Sequence, residues 1–344
     1  MNDRDAALDR LRAVAALAVV MLHVAGYHWT DMSQLARWDA FNLYDSLVRW
    51  CVPVFVMLSG VLFLDPAREY PLRELWSRKI ARLALVFLFW SLVYALYDLT
   101  AGGMTAKDFL RELVFGHYHM WYLFLAAGLY AMTPLLRPIT ASRDTARYFL
   151  LLAAVFASLV PALQLIPLLG RSGVVSTLTA FAGVTMVTGY TGYFVLGRYL
   201  YDHRPPRGVR IALYAAGLLS VVLTVWATRT ASLAAGAPDE RFYDRLLPTA
   251  VLASAAVFTL FLSLPRPKER GLPAAVRRSL SRCSFGIYLI HPLVLHLLDR
   301  FLGLSTLSFS GWLSVPALTA LAFSLSWGIT AALRRIPLLG RWIV

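Results

Sequence analysis

The chain has 344 residues, of which 59% are hydrophobic and only 15% are charged, and its mean hydropathy is +0.62. This composition excludes an ordinary soluble domain and indicates a protein that crosses the membrane several times. The formal net charge of +14 would suggest nucleic acid binding in a soluble protein. Here the basic residues lie at the ends of apolar segments, where they determine topology, so no nucleic acid partner is expected.

The first apolar stretch, residues 10–29, carries two ionisable side chains on one face. Arg12 stands near its start, and His23 lies eleven positions further along, which is about three turns and roughly 16 Å of an α-helix. An ionisable group at membrane depth is costly and needs a reason. Two interpretations of the isolated pair stay open. Either Arg12 reaches the headgroups and His23 is a hydrogen-bonded histidine of the bundle, or the pair forms a polar track for a ligand.

Ten apolar segments of helical length follow one another along the chain. They predict an all-α, polytopic membrane bundle of about ten transmembrane helices, formed as a single domain over residues 1–344 with no separate soluble domain. The segments are approximately 10–29, 46–65, 80–99, 118–136, 148–166, 174–200, 209–228, 245–264, 283–303 and 312–333.

The distribution of basic residues predicts the orientation. Ten spans place both termini on one side of the membrane, and 24 of the 33 Lys and Arg residues then fall on that side, which leaves nine on the other. Because Lys and Arg are enriched in cytoplasmic loops, both termini are predicted to be cytoplasmic.

The second segment combines a proline with a small-residue pair. Pro53 removes a backbone donor and predicts a kink within the helix, and Ser59-Gly60 allows another helix to approach closely. Packing is therefore an alternative to direct chemistry for Ser59. Asp45 and Arg49 stand just before this segment, at the four-residue spacing of a helical ion pair.

The loop after the second segment is strongly basic. Positive charge on the cytoplasmic side would explain this density. A binding site for an anionic cytosolic ligand would explain it equally well, because guanidinium groups suit phosphate. The basic residues are Arg68, Arg73, Arg78, Lys79 and Arg82.

The fourth and ninth segments carry further histidines. His119, Trp121 and Tyr122 open the fourth segment, where aromatic residues form either an interfacial belt or a site for a sugar. His291, followed by Pro292, is a second imidazole within a span and needs a partner in the bundle. The two cysteines of the chain are predicted near opposite membrane faces, so neither a disulfide nor a metal site is expected.

These segments together resemble the acyltransferase family 3 membrane proteins. The Arg-x10-His spacing of Arg12 and His23 resembles the motif of that family's first helix. A pair of basic residues, often Arg-x-x-Arg, enters the third helix in the family, and here Lys79 and Arg82 match it, with Arg78 alongside. The other matching elements are Pro53 to Gly60, His119 to Leu123 and Phe285 to Pro292.

Two further stretches suggest a branch of the family. Gly192 to Gly197 and the ending Ile336 to Leu339 are similar to the branch that O-acetylates surface polysaccharides, such as the O-acetyltransferase of enterobacterial common antigen. No appended extracytoplasmic hydrolase-like domain, which some members carry, is expected. Any transfer would therefore be completed by the membrane bundle itself or with a separate partner.

The resemblance implies transfer of an acetyl group from acetyl-CoA, or another acyl-CoA, to a hydroxyl of a carbohydrate or lipid-linked glycan. It implies a multi-pass protein of the bacterial cytoplasmic (inner) membrane. The acyl chain, the acceptor sugar and the oligomeric state stay open. Two alternatives also stay open, which are O-acylation of a small molecule such as a macrolide and transport or flipping of a solute.

The resemblance also implies roles for individual residues. His23 would be the general base or the acyl-carrying nucleophile, since imidazole suits proton transfer near neutral pH. Arg12 would assist His23 in catalysis. No metal would take part. The donor would be held by Arg12, Arg78, Lys79 and Arg82, the acceptor by His119, Trp121, Tyr122 and Asp45, and the core of the site would be supported by Ser59 and His291.

Overall fold

The computed structural model describes residues 3–68, 70–101, 105–166, 184–265 and 271–344. These residues form helices and no strand, which confirms the prediction of an all-α membrane bundle. The helices are α1 (Asp3–Gly26), α2 (Leu35–Val48), α3 (Cys51–Phe63), α4 (Ala81–Ala101), α5 (Ala106–Phe115), α6 (Trp121–Ala141), α7 (Arg143–Leu152), α8 (Val184–Asp202), α9 (Arg207–Ala235), α10 (Pro248–Ser263), α11 (Leu272–Leu302), α12 (Gly311–Leu333) and α13 (Pro337–Trp342).

Eight helical runs of the described residues are long and apolar enough to cross a membrane. The helices α1 and α8, of 24 and 19 residues, are further long elements of the same bundle. The total of ten spans stays a prediction, and the first part of the predicted segment 174–200 lies outside the described residues. The eight runs are Leu35–Phe63, Leu72–Thr100, Ala106–Ala141, Arg143–Leu165, Arg207–Ala235, Arg241–Ser263, Leu272–Leu302 and Gly311–Leu333.

The second span differs from the prediction in its start and in the position of its break. It begins at Leu35, and α2 and α3 are separated by a turn at Arg49 and Trp50. Pro53 therefore occupies the first turn of α3, where its missing N–H leaves no helical hydrogen bond unmade. The expected kink within a continuous helix is replaced by a break just before the proline.

Contacts among distant residues place both termini at one end of the bundle. The Ser281 hydroxyl donates to the Asp9 carboxylate at 2.6 Å, and Arg82 donates to the backbone carbonyl of Val344 at 3.2 Å. We call this end of the bundle the basic end, because Arg12 and Arg334 also lie there. The helix α1 runs from the basic end to the opposite end.

The helices α3 and α8 touch backbone to backbone. A Cβ atom added at Gly60 would collide with the main chain of Phe194, and one added at Gly197 would collide with the main chain of Met57. This contact confirms the prediction that another helix approaches closely at Ser59-Gly60. It also determines which side of α3 packs on α8 and therefore where Ser59 lies.

Replacing Gly60 by alanine is expected to destabilise the bundle by about 1–3 kcal/mol, because the rigid backbone of α8 must move to admit the methyl group. The measurement is the thermal unfolding midpoint of the purified protein in detergent. Gly328→Ala is the matched control, since an added Cβ there meets nothing within 4 Å. Equal unfolding midpoints for the two variants would contradict this packing.

Candidate active site

Most of the residues predicted for the site line one cavity of about 440 Å³ inside the bundle. This size is typical of small-molecule and cofactor sites. We call it the main cavity. Eight of the eleven predicted residues face it, namely Arg12, His23, Ser59, Lys79, Arg82, His119, Trp121 and Tyr122.

The basic end of the main cavity is lined by five cations from four different helical runs. Three of them were predicted, and the structure adds Arg282 from α11 and Arg334 from the end of α12. Hydrogen bonds order this cluster, because Arg334 donates to the carbonyl of Arg282 at 3.3 Å. The predicted members are Arg12, Lys79 and Arg82.

Arg12 is held in place at this end by residues of α1 and α11. Its guanidinium donates to the Ser281 hydroxyl at 3.4 Å and lies 3.8 Å from the Asp9 carboxylate. Arg277 approaches the other oxygen of Asp9 at 3.7 Å. Asp9 therefore balances part of the positive charge and orients Arg12 toward the cavity.

Arg78 does not line the main cavity. Its side chain is 76% exposed and lies 3.7 Å from Glu74. The chain is π-helical over Leu75–Ile80, directly before α4, and the wider turn changes the register between Arg78 and the residues of α4. As a result Lys79 and Arg82 face the cavity, whereas Arg78 faces outward.

His23 lies about three turns further along α1, within a cluster of aromatic rings. The centre of its ring is 4.9 Å from that of His291, 5.4 Å from that of Tyr118 and 6.3 Å from that of His119. His119 is buried, and its Nδ1 lies 2.9 Å from Nδ1 of His117. The imidazole of His23 is thereby held among groups that donate or accept hydrogen bonds.

His291 does not line the main cavity but packs against the ring of His23. It is fully buried, and its Nδ1 lies 3.0 Å from the carbonyl of Ile287. The Tyr94 hydroxyl inserts into the backbone of α11 beside Pro292, donating to the carbonyl of Leu289 at 2.8 Å and accepting from the N–H of Leu293 at 3.2 Å. This arrangement positions the His291 ring against His23.

A second cavity, of about 360 Å³, lies on the other side of His23. We call it the outer cavity, because it lies toward the end of the bundle opposite to the basic end. His23 lines both cavities and so stands between them. The other polar and aromatic side chains around the outer cavity are Tyr27, Trp29, Asp45, Arg49, Tyr118, Glu240 and His296.

Asp45 lines the outer cavity, whereas the other predicted acceptor residues, His119, Trp121 and Tyr122, line the main cavity. The predicted pairing of Asp45 with Arg49 is confirmed, because Arg49 donates to the carboxylate at 2.7 Å. The Arg49 guanidinium also stacks 3.7 Å from the centre of the Tyr243 ring. The turn between α2 and α3 thus builds one wall of the outer cavity.

Sequence reasoning missed several residues of both cavities. Arg282 and Arg334 were counted only as topological charges, although both face the main cavity. Arg245 and Glu240 lie in the connection between α9 and α10, which showed no motif. The available signal for Arg245 was that it belongs to the minority of nine basic residues on the predicted outer side.

Cys51 and Cys283 are both buried and free. Across the described part of the chain, no group of three or more His, Cys, Asp or Glu side chains is arranged to hold a metal ion. The side chains that line the two cavities offer imidazole, guanidinium and hydroxyl groups around His23.

Comparison with known proteins identifies the family of the chain. No curated protein and no solved structure gave a significant match. A family profile described as an acyltransferase domain matches residues 5–331, which is nearly the whole chain and includes Arg12 and His23. The chain therefore belongs to the acyltransferase family 3 of membrane proteins, whose activity is membrane O-acyl transfer.

Proposed function

We propose that this protein is an O-acetyltransferase of the bacterial cytoplasmic membrane. It would move an acetyl group from cytosolic acetyl-CoA to a hydroxyl of a surface polysaccharide or its lipid-linked precursor. The observation that carries the proposal is that His23 lines two cavities at once, one with a basic end and one lined by polar and aromatic side chains.

The main cavity suits the donor. CoA has a polyanionic head and a long thin arm that ends in a thioester. The five cations at the basic end suit the phosphate groups of CoA, because hydrogen bonds between charged side chains and phosphate are strong. His23 lies roughly 16 Å from Arg12 along α1, which leaves room for the arm between the phosphates and the reactive end.

The outer cavity suits the acceptor. Its wall combines carboxylates, imidazole and tyrosine groups with the ring of Trp29, and such side chains offer hydrogen bonds and stacking surfaces to a sugar. The headgroup of CoA cannot cross hydrocarbon cheaply, whereas a hydroxyl can approach His23 from this side. Only the acetyl group would then pass from one side of the bundle to the other.

Direct transfer needs no further reactant. His23 takes the proton of the hydroxyl while its oxygen forms a bond to the thioester carbon. The tetrahedral intermediate then breaks its C–S bond, and the thiolate takes the proton from His23 and leaves as CoA. In the alternative with an acyl-histidine, the imidazole itself attacks the thioester carbon, the C–S bond breaks, and CoA leaves as the thiol with the proton of the imidazole. In a second step the hydroxyl attacks the acyl-imidazole, the C–N bond breaks, and the freed imidazole takes the hydroxyl proton.

The test uses sealed proteoliposomes with labelled acetyl-CoA supplied only at the basic end of the protein. Oligosaccharides that cannot cross the membrane are enclosed on the other side. Orientation is measured with an Ala237→Cys variant that lacks Cys51 and Cys283, because Ala237 is exposed just after α9 at the end opposite to the basic end. We expect CoA release on the donor side and acetylated oligosaccharide on the other.

Two outcomes would contradict the proposal. Acetylation only when both substrates share the basic end would exclude access to His23 from two sides. Movement of solute across the membrane without any release of CoA would favour a transporter instead.

A further inference from the structure

Arg245 is a charged side chain at the end of the main cavity farthest from the cluster of five cations. It follows the short turn Arg241–Tyr243 in the connection between α9 and α10. Its guanidinium lies 4.8 Å from the centre of the ring of Trp121, the first residue of α6. The Tyr193 hydroxyl donates to the backbone carbonyl of Arg245 and fixes the chain there. A residue of a loop is thus held against the cavity that contains His23.

Among the described residues Arg245 forms no ion pair within 4 Å, and its polar neighbours are the hydroxyl of Tyr190 and, farther away, the carboxylate of Asp45. Three other arginines of this end of the bundle, Arg49, Arg229 and Arg241, each form an ion pair. The neighbouring carboxylate of Asp244 accepts from the N–H of Leu246 at 2.7 Å. The Nε atom of Arg245 is buried without a hydrogen-bond partner. An arginine that is partly buried in a membrane protein without a counter-ion is costly, and this cost points to an anionic partner that forms during function.

The position of Arg245 in the cavity indicates which group of the substrate would supply the negative charge. Arg245 and His23 line the same cavity, and Arg245 packs on Trp121, which lies two residues after His119, whose ring centre is 6.3 Å from that of His23. When the phosphates of a donor occupy the basic end, its thioester reaches this region of the cavity. The carbonyl oxygen of the thioester becomes negative during the reaction.

We propose that Arg245 binds the acyl carbonyl oxygen of the donor and stabilises the oxyanion that forms on it. This inference rests on the proposed function. As the hydroxyl oxygen bonds to the carbonyl carbon, the π electron pair moves to the carbonyl oxygen, beside the guanidinium, and His23 takes the proton. When the C–S bond breaks, the pair returns to form the C=O bond, and the thiolate takes the proton from His23. A hydrogen-bond donor held in a fixed position beside such an oxyanion typically accelerates the reaction by about 10²–10³-fold.

The test compares two CoA analogues of equal length at the tip. Carboxymethyl-CoA carries a carboxylate one methylene away from the sulfur, one carbon beyond the position of the acetyl carbonyl, and acetonyl-CoA carries a neutral ketone at the same place. Binding of each to the purified protein in detergent is measured by calorimetry. We expect the wild-type protein to bind carboxymethyl-CoA about 10-fold or more tightly than acetonyl-CoA, which is the scale of one charge-assisted hydrogen bond.

Variants then locate the source of this preference. We expect the Arg245→Gln protein to bind the two analogues equally and to bind unmodified CoA with the affinity of the wild type. The Arg245→Lys protein should keep part of the preference for carboxymethyl-CoA. Arg241→Gln is the matched control, because Arg241 belongs to the same loop but pairs with Asp239. It should retain the full preference.

Three results would overturn the inference. The first is equal affinity of the wild-type protein for the two analogues, which needs no variant and so does not depend on the folding of Arg245→Gln. The second is a full preference in Arg245→Gln. The third is loss of transfer in Arg245→Gln with normal hydrolysis of acetyl-CoA, which would assign Arg245 to the acceptor. If wild-type protein binds neither analogue nor CoA, the proposed donor site fails, and the inference fails with it.

Discussion

Replacing His23 by alanine or glutamine is expected to lower acetyl transfer by at least about 10²-fold, with little change in stability. The loss follows from chemistry, because a general base in the correct position contributes about 10²–10⁴-fold and neither replacement can take a proton. Stability should be kept because His23 is only partly buried and lines two cavities rather than filling a packed core. The measurement is the rate of CoA release with acceptor present, together with the thermal unfolding midpoint.

His203→Gln is the matched control for this prediction. The ring of His203 stacks on Tyr199, with ring centres 4.9 Å apart, and lines neither cavity, so its transfer rate should equal that of the wild type. A folded His23→Ala protein with near-normal transfer would reduce His23 to a structural role. Recovery of labelled acetyl on His23 after brief incubation with acetyl-CoA would indicate the two-step route.

Substitution of the cations at the basic end is expected to weaken acetyl-CoA binding by about 10-fold for each residue. Arg82→Gln and Arg334→Gln each remove a guanidinium from the cavity wall, and one hydrogen bond to a charged group is worth about 1.5–3 kcal/mol. Binding should also weaken as salt is raised, since exposed charges are screened over about 10 Å at 0.1 M. Calorimetric titration at two salt concentrations measures both effects.

Arg335→Gln is the control for the basic end, because Arg335 is adjacent to Arg334, exposed and absent from the cavity wall. Arg78→Gln changes the member of the Arg78, Lys79 and Arg82 group that does not line the main cavity, and its effect should be smaller than that of Arg82→Gln. Unchanged affinity in both Arg82→Gln and Arg334→Gln would remove the donor phosphates from this end of the bundle.

The class of the fold and the shared helix face of Arg12 and His23 follow from local features of the sequence. Long apolar segments have few alternatives to helices in a bilayer, because every backbone polar group must be bonded within the chain. The spacing of Arg12 and His23 predicted a shared face by the helical period alone, and both side chains line the main cavity. Ser59-Gly60 predicted close helix packing because only small residues permit it, and the contact of Gly60 with α8 agrees.

The other residues that line the main cavity with His23 are brought there by the packing of distant segments. Arg334 and Arg282 reach the main cavity because the last two long helices pack beside α1, and Arg245 reaches it because a loop folds back against Trp121. The π-helical turn before α4 turned Lys79 inward and Arg78 outward. The helical period fixes neighbours three and four residues apart. Contacts between segments depend on how whole helices and loops pack, and one sequence carries no local signal for that packing.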